Sequence, residues 1–163
     1  MPLSMSQASI PLFVRALRNL SEILKKGEAH ADSASFIEAR LAPDMLTLAG
    51  QIQRASDAAK GCAARLSATP APSFPDEEKT FADLQQRIAK TIDYLKGVPV
   101  SSIDGSEERA ISFKAGKNEY NFTGLQYLQG FAIPNFYFHV AVAYAILRHK
   151  GVQIGKMDFL GTR

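Results

Sequence analysis

An all-α fold, a four-helix bundle with a small β-hairpin before its last helix, is predicted by three features of this sequence of 163 residues. Four segments repeat apolar residues at the three- and four-residue spacing of helices. Glycine and proline lie between those segments, where helices are expected to end. One further segment, Ile111 to Phe122, alternates around a glycine as two short strands do. A chain of this length can bury one hydrophobic core, so we expect a single domain, 1–163.

The first helix is expected from Ser6 to about Lys26, and Gly27 begins the polar connection that follows it. Its apolar positions are Ile10, Phe13, Val14, Leu17, Leu20 and Leu24. The second helix is expected to start in "APDM", because proline fits a first helical turn and an aspartate there complements the helix dipole. Its predicted apolar face begins at Leu46, and the three prolines of "SATPAPSFP" end it.

The third helix carries Phe81, Leu84, Ile88, Ile92 and Leu95 at helical spacing and is expected to stop at Gly97. Its other face is predicted to be an ordinary solvated one, formed by Lys79, Asp83, Arg87, Lys90 and Asp93. After it, Ile111 to Lys114 and Glu119 to Phe122 are expected to pair as a short hairpin.

The last helix is expected from Gly124 to about His149, with Thr123 as N-cap, Gly151 after its end and a kink at Pro134. No charged residue occurs between Asn121 and Leu147, which raises the possibility of a membrane span. Several amide side chains and a histidine in this stretch would be unsatisfied in lipid, so we predict no membrane span and protein on nearly every side of the helix.

A homodimer is predicted from the same helix. Phe136, Tyr137 and Phe138 are consecutive, and successive side chains on a helix point about 100° apart. The three rings therefore cannot all face one core, and we expect a second subunit to cover part of this surface.

Composition and charge exclude several classes of protein. The 19 basic and 16 acidic residues are spread along the chain, and no basic stripe interleaved with aromatic residues indicates nucleic-acid binding. No basic region precedes an apolar run at the N-terminus, so no signal peptide is expected. The one cysteine, Cys62, is predicted to be a core residue, and its lack of a partner favours a reducing compartment, the cytoplasm.

Two polar residues of the last helix are candidates for a site. Asn135 and His139 are four residues apart and share one face of the helix, a spacing that allows both side chains to reach one ligand. Two residues alone do not define a site. The alternative is a core histidine whose ring nitrogens bond to a backbone carbonyl or a tyrosine.

Much of the chain resembles a known bacterial family. Stretches such as "ARLAPDMLTLAGQIQRASDAAKG" and "YLQGFAIPNFYFHVAVAYAILRHKGVQIGKMDFLG" are similar to a domain-of-unknown-function family that is grouped with the DinB-like (YfiT-like) metalloenzyme superfamily. The resemblance implies a DinB-like four-helix bundle, frequently dimeric. It also implies a divalent metal held by three histidines, one on the second helix and two as an HxxxH pair on the last.

This sequence departs from that ligand set. The resemblance makes His139 the second histidine of the pair, because Leu147, Arg148 and Gly151 continue the superfamily's pattern, and it places Asn135 at the first. On the second helix, Gln51 is the nearest polar candidate. Zinc and nickel sites are normally built from imidazole, thiolate or carboxylate ligands, so Gln, Asn and His predict a degenerate site without metal or other cofactor. A small polar molecule could bind there instead.

Two functions remain open at this stage. The first is a homodimeric binding or structural protein whose metal site has degenerated. The alternative is a metal-dependent (thiol) transferase or hydrolase of the DinB type, with His139 as ligand or base. No glycine-rich phosphate loop, G-x-S-x-G or H-E-x-x-H motif occurs, so the sequence does not decide whether the chain is an enzyme.

Overall fold

The computed structural model describes residues 2–161. In chain order its elements are α1 (Ile10–Glu28), a 3₁₀ turn (Ser33–Ser35), α2 (Leu48–Ser67), α3 (Phe81–Gly97), α4 (Val100–Ile103), β1 (Ala110–Ala115), β2 (Asn118–Thr123), α5 (Gly124–Tyr127), a π-helical turn (Leu128–Ala132), α6 (Ile133–His149) and α7 (Lys156–Leu160). The strands β1 and β2 pair antiparallel, with Phe113 opposite Tyr120. The fold is therefore mostly helical with one small hairpin, as predicted.

The long helices pack around one contiguous hydrophobic core. Helix α2 lies against both α3 and α6, and α1 lies against α3 and α6. Phe13 of α1 meets Phe136 of α6 edge to face, with 4.8 Å between ring centroids, and neither ring is exposed. Because α2 and α6 share a long contact, polar residues on their facing sides are brought close together.

Helix α2 begins later than its sequence indicated. The prediction of a start in "APDM" is wrong, since the helix begins at Leu48 and Leu46 lies before it, 43% exposed. The hydroxyl of Thr47 accepts a hydrogen bond of 3.1 Å from the backbone N–H of Gly50, and Thr47 also forms an isolated bridge with Arg40. A side-chain N-cap satisfies a free helical donor, which a proline cannot do, and this fixes the start.

The last long helix, which comprises α5, the π-helical turn and α6, runs without a break from Gly124 to His149. Thr123 caps it as predicted, and Gln126 completes the capping box. A kink is expected at Pro134. The helix instead departs from regular α-helical geometry just before that residue, where the five residues ahead of α6 form a π-helical turn. Gly151, which follows the helix, has a φ of +93°, a conformation that favours glycine.

The monomer covers only part of the surface of this last long helix. By length and composition it is the one helix within residues 2–161 that could cross a membrane. Only 39% of the most apolar 18-residue stretch of this helix is buried in the fold. It is therefore not surrounded by protein on nearly every side of the monomer. Phe138 is 54% exposed, although it lies between half-buried Tyr137 and half-buried His139.

Residues 69–80, which we call the strap, fold back across α2 and α3. Lys60 donates 3.1 Å to the carbonyl of Pro72 and lies 3.9 Å from the ring centroid of Phe74. Arg87 of α3 pairs with strap residues Asp76 (3.0 Å) and Glu78 (2.9 Å). Arg87 is only 2% exposed, so the prediction that it lies on a solvated face is wrong. The strap supplies the carboxylates that make its burial possible.

The C-terminal segment packs back onto the first helix. Asn19 donates 3.1 Å to the carbonyl of Phe159, and Lys26 pairs with Asp158 at 2.6 Å. Helix α7 is thereby held along α1.

Candidate functional site

Gln51 and His139 meet where α2 packs along α6. The Nδ1 atom of His139 lies 2.7 Å from Oε1 of Gln51. The amide nitrogen of Gln51 donates 3.3 Å to the carbonyl of Leu46, so its oxygen is the atom that faces the imidazole. An amide oxygen only accepts, and therefore Nδ1 of His139 carries the proton while Nε2 keeps its lone pair.

Local structure places both side chains. Gln51 lies in the first turn of α2, whose start is set by the Thr47 cap, and it is 1% exposed. His139 lies in the middle of α6 between buried Phe136 and buried Val140, and it is half-buried. One member of the pair is thus fixed inside the fold, while the other reaches toward solvent.

The surroundings keep the imidazole neutral. Burial, together with the nearby guanidinium of Arg54, lowers the pKa of His139 below its usual value. Arg54 lies one helical turn after Gln51 and bonds to Asp57 at 3.1 Å and to Asp76 of the strap. Sequence reasoning missed Arg54, although its position three residues after Gln51 on the same helix was a usable signal.

Asn135 lies beside this pair without joining it. It precedes His139 by one helical turn on the same face and is half-buried. Within residues 2–161 its side chain makes no hydrogen bond. The structure thus brings Gln51 and His139 together and leaves the amide of Asn135 available one turn away.

These residues do not fit a zinc or nickel centre. Across the part of the chain that the structure describes, no group of three His, Cys, Asp or Glu side chains could hold a metal ion. Gln51 Oε1 and His139 Nδ1 bind each other, which leaves one imidazole nitrogen and the amide of Asn135 as donors. Such metal sites require three or four imidazole, thiolate or carboxylate ligands.

The one thiol of the chain is not part of a reactive site. Cys62 is fully buried in α2, as predicted, and burial raises its pKa to about 12. Tyr127, which accepts 3.0 Å from Arg65, is also buried, and burial raises its pKa to about 12. Neither group ionises near neutral pH, so neither supplies a nucleophile there.

The chain is similar to known proteins in both sequence and fold. The family described as "Domain of unknown function (DUF1993)" matches residues 5–160. The crystal structure of a DinB family member protein from Shewanella denitrificans superposes with a TM-score of 0.87 at 37% identity, covering 97% of this chain and 92% of that one. No curated protein matches the sequence.

Proposed function

This chain belongs to the DUF1993 family, and we propose that it is a single DinB-like four-helix-bundle domain. It binds a small polar molecule at the position where the resemblance to the DinB-like superfamily implies a metal. The bond of 2.7 Å between Gln51 and His139 carries the proposal. It uses the amide oxygen of Gln51, the atom with which that residue would bind a metal, and it leaves only one nitrogen of the imidazole. What remains is an acceptor, His139 Nε2, and the half-buried amide of Asn135, which both donates and accepts hydrogen bonds.

The same geometry supports a metal-free enzyme as the second candidate. A histidine whose Nδ1–H is bound to a buried acceptor has one tautomer, and its Nε2 can remove a proton from a ligand's hydroxyl, thiol or amine. The lowered pKa of His139 keeps that nitrogen unprotonated at neutral pH. Gln51 would then be a positioning residue, and Asn135 would orient the ligand.

Metal content tests the degenerate site. We expect untagged protein to contain far less than one metal per chain, and its Tm to be unchanged by zinc, nickel or manganese, because only one imidazole is available. The double variant Gln51→His with Asn135→His restores the superfamily's three histidines. We expect it to bind zinc or nickel and to gain Tm with the metal, because binding to the folded state stabilises it.

Two results of these metal-binding measurements would each contradict a different part of the proposal. Near-stoichiometric metal in the natural sequence, lost in His139→Ala, would overturn the degenerate-site proposal and favour the metal-dependent transferase. A double variant that folds but binds no metal would show that Gln51 and Asn135 do not occupy the superfamily's ligand positions.

We also propose that the protein is a homodimer in the cytoplasm, with the exposed face of α6 as the contact. That face includes Pro134, Phe138 and Ala141, all exposed, and the whole helix lacks charge up to Arg148. Interface cores are depleted of charged residues, and an uncharged face meets its own copy without like-charge repulsion. The single buried thiol suits a reducing compartment.

Replacing Phe138 tests the dimer. Phe138→Glu is expected to convert a dimer into a monomer in sedimentation-velocity and light-scattering measurements, since two carboxylates would be buried at the contact. Val100→Glu changes a residue that is 62% exposed on α4 and serves as the matched control, which should remain dimeric. A monomeric natural protein at high concentration would contradict the proposal.

A further inference from the structure

The guanidinium of Arg54 makes ion pairs through only one of its nitrogen atoms. Its Nη2 atom makes both of its ion pairs, with Asp57 and with Asp76 of the strap. Over residues 2–161, Nε and Nη1 of Arg54 contact no protein acceptor, and the side chain is 40% exposed. A guanidinium has a planar fork of donors, so one edge of this fork is free to meet a ligand.

The two carboxylates that hold Arg54 are themselves held by other cations. Asp57 lies 3.1 Å from Lys60 and 2.9 Å from Arg87, and Asp76 lies 3.0 Å from Arg87. Both carboxylates therefore divide their charge between Arg54 and buried partners. This network orients Arg54 without fully neutralising its charge. The positive charge of Arg54 still contributes to lowering the pKa of His139.

Arg54 and the Gln51–His139 pair belong to one local arrangement. Gln51 and Arg54 are one turn apart on α2, and Gln51 fixes the imidazole of α6. The arrangement offers a cationic donor fork from α2 and a neutral acceptor, Nε2, from α6. A ligand with a negative charge and a nearby protic group is complementary to both, whereas a cationic ligand would be repelled by Arg54.

We infer that Arg54 and His139 together bind a small organic carboxylate bearing a neighbouring hydroxyl, thiol or amide N–H. The carboxylate pairs with the free edge of Arg54, and the protic group donates to Nε2 of His139. The inference rests on the proposed ligand site and specifies its substrate class. No covalent step is included, because binding alone accounts for the arrangement.

Glycolate is a suitable probe, since it is a carboxylate with one adjacent hydroxyl, and glycolamide is its neutral isostere. The signals of the His139 ring are followed by NMR while each compound is added at constant ionic strength. We expect glycolate to shift these signals saturably, and glycolamide to bind about tenfold more weakly, the loss that follows from removing one charge-assisted pair. Arg54→Gln should abolish the preference, whereas Arg18→Gln, which changes an exposed arginine of α1, should retain it.

Each remaining outcome identifies a different failure. Equal, saturable binding of glycolate and glycolamide would overturn the role of Arg54 while the proposed ligand site stands. Inorganic phosphate that shifts the signals as strongly as glycolate would overturn the carboxylate class. No response of His139 to any of the three compounds would overturn both the inference and the ligand site. Because Arg54 also contacts the strap, the Tm of Arg54→Gln is measured in parallel to confirm that it folds.

Discussion

Replacing Arg87 with methionine is expected to lower the free energy of unfolding by about 3 kcal/mol, the low end of the range for breaking a buried ion pair. Arg87 is 2% exposed and bonds to Asp57, Asp76 and Glu78 at 2.9–3.0 Å. Its removal leaves Glu78, whose side chain is 10% exposed, without its cation. The partial exposure of Asp57 and Asp76 allows water to replace some of the lost contacts, which keeps the effect at the low end.

Urea unfolding of both proteins gives the difference in stability. Lys90→Met is the matched control, because Lys90 is one turn further along α3 and exposed, so its change should be within about 0.5 kcal/mol. Adding Glu78→Gln to Arg87→Met removes the uncompensated charge and should recover part of the loss. Equal stability of Arg87→Met and Lys90→Met would mean that the strap network contributes nothing to the fold.

Gly124→Ala is the second change with a large expected effect. Gly124 is the first residue of α5, and a Cβ at this position would overlap the carbonyl oxygen of Ser106 and lie 3.0 Å from its carbon. The obstacle is backbone, which cannot rotate away as a side chain can. The loop is also tied here by the N–H of Leu125, which donates 2.9 Å to the carbonyl of Glu107. We expect a loss of about 3 kcal/mol, the upper range for overpacking.

The control for this prediction is Gly97→Ala at the end of α3, where a Cβ would meet nothing within 4 Å. Alanine also restricts the unfolded chain, so Gly97→Ala should be neutral or stabilising by up to about 1 kcal/mol. Thermal and urea unfolding of the two variants can be compared directly. A Gly124→Ala protein as stable as the natural one would show that the Ser106 loop moves freely away from α5.

The sequence predicted most of the helices and the hairpin correctly because those elements depend on local patterns. Phe81 to Gly97 was bounded by its apolar spacing and its glycine, and Thr123 was recognisable as an N-cap. The start of α2 was missed because two start signals compete, and the hydroxyl of Thr47 prevails over the proline at position 43. The spacing of apolar residues does not show which of two start signals prevails, whereas the structure does.

The candidate site was only partly predictable. Resemblance to the superfamily pointed to Gln51 and His139, and their contact depends on how α2 and α6 pack, which no local pattern gives. Arg87 was assigned to a solvated face because its carboxylate partners lie outside its own helix: Asp76 and Glu78 come from the strap, and Asp57 of α2 is 30 residues away. Arg54 was missed although it lies one turn after Gln51, because its orientation depends on Asp76 of the strap. Long-range ion pairs change the burial of a charged residue without changing the periodicity of its helix.

The Gln51–His139 bond also has a consequence for how the chain folds. It joins residues 88 apart in sequence, one in the second long helix and one in the last. Closing so long a loop costs chain entropy that early, local contacts do not repay, so the bond forms only when α6 docks onto α2. The imidazole of His139 is therefore a reporter of the final assembly step, and its NMR signal would separate a chain with docked α6 from one in which only the earlier helices have formed.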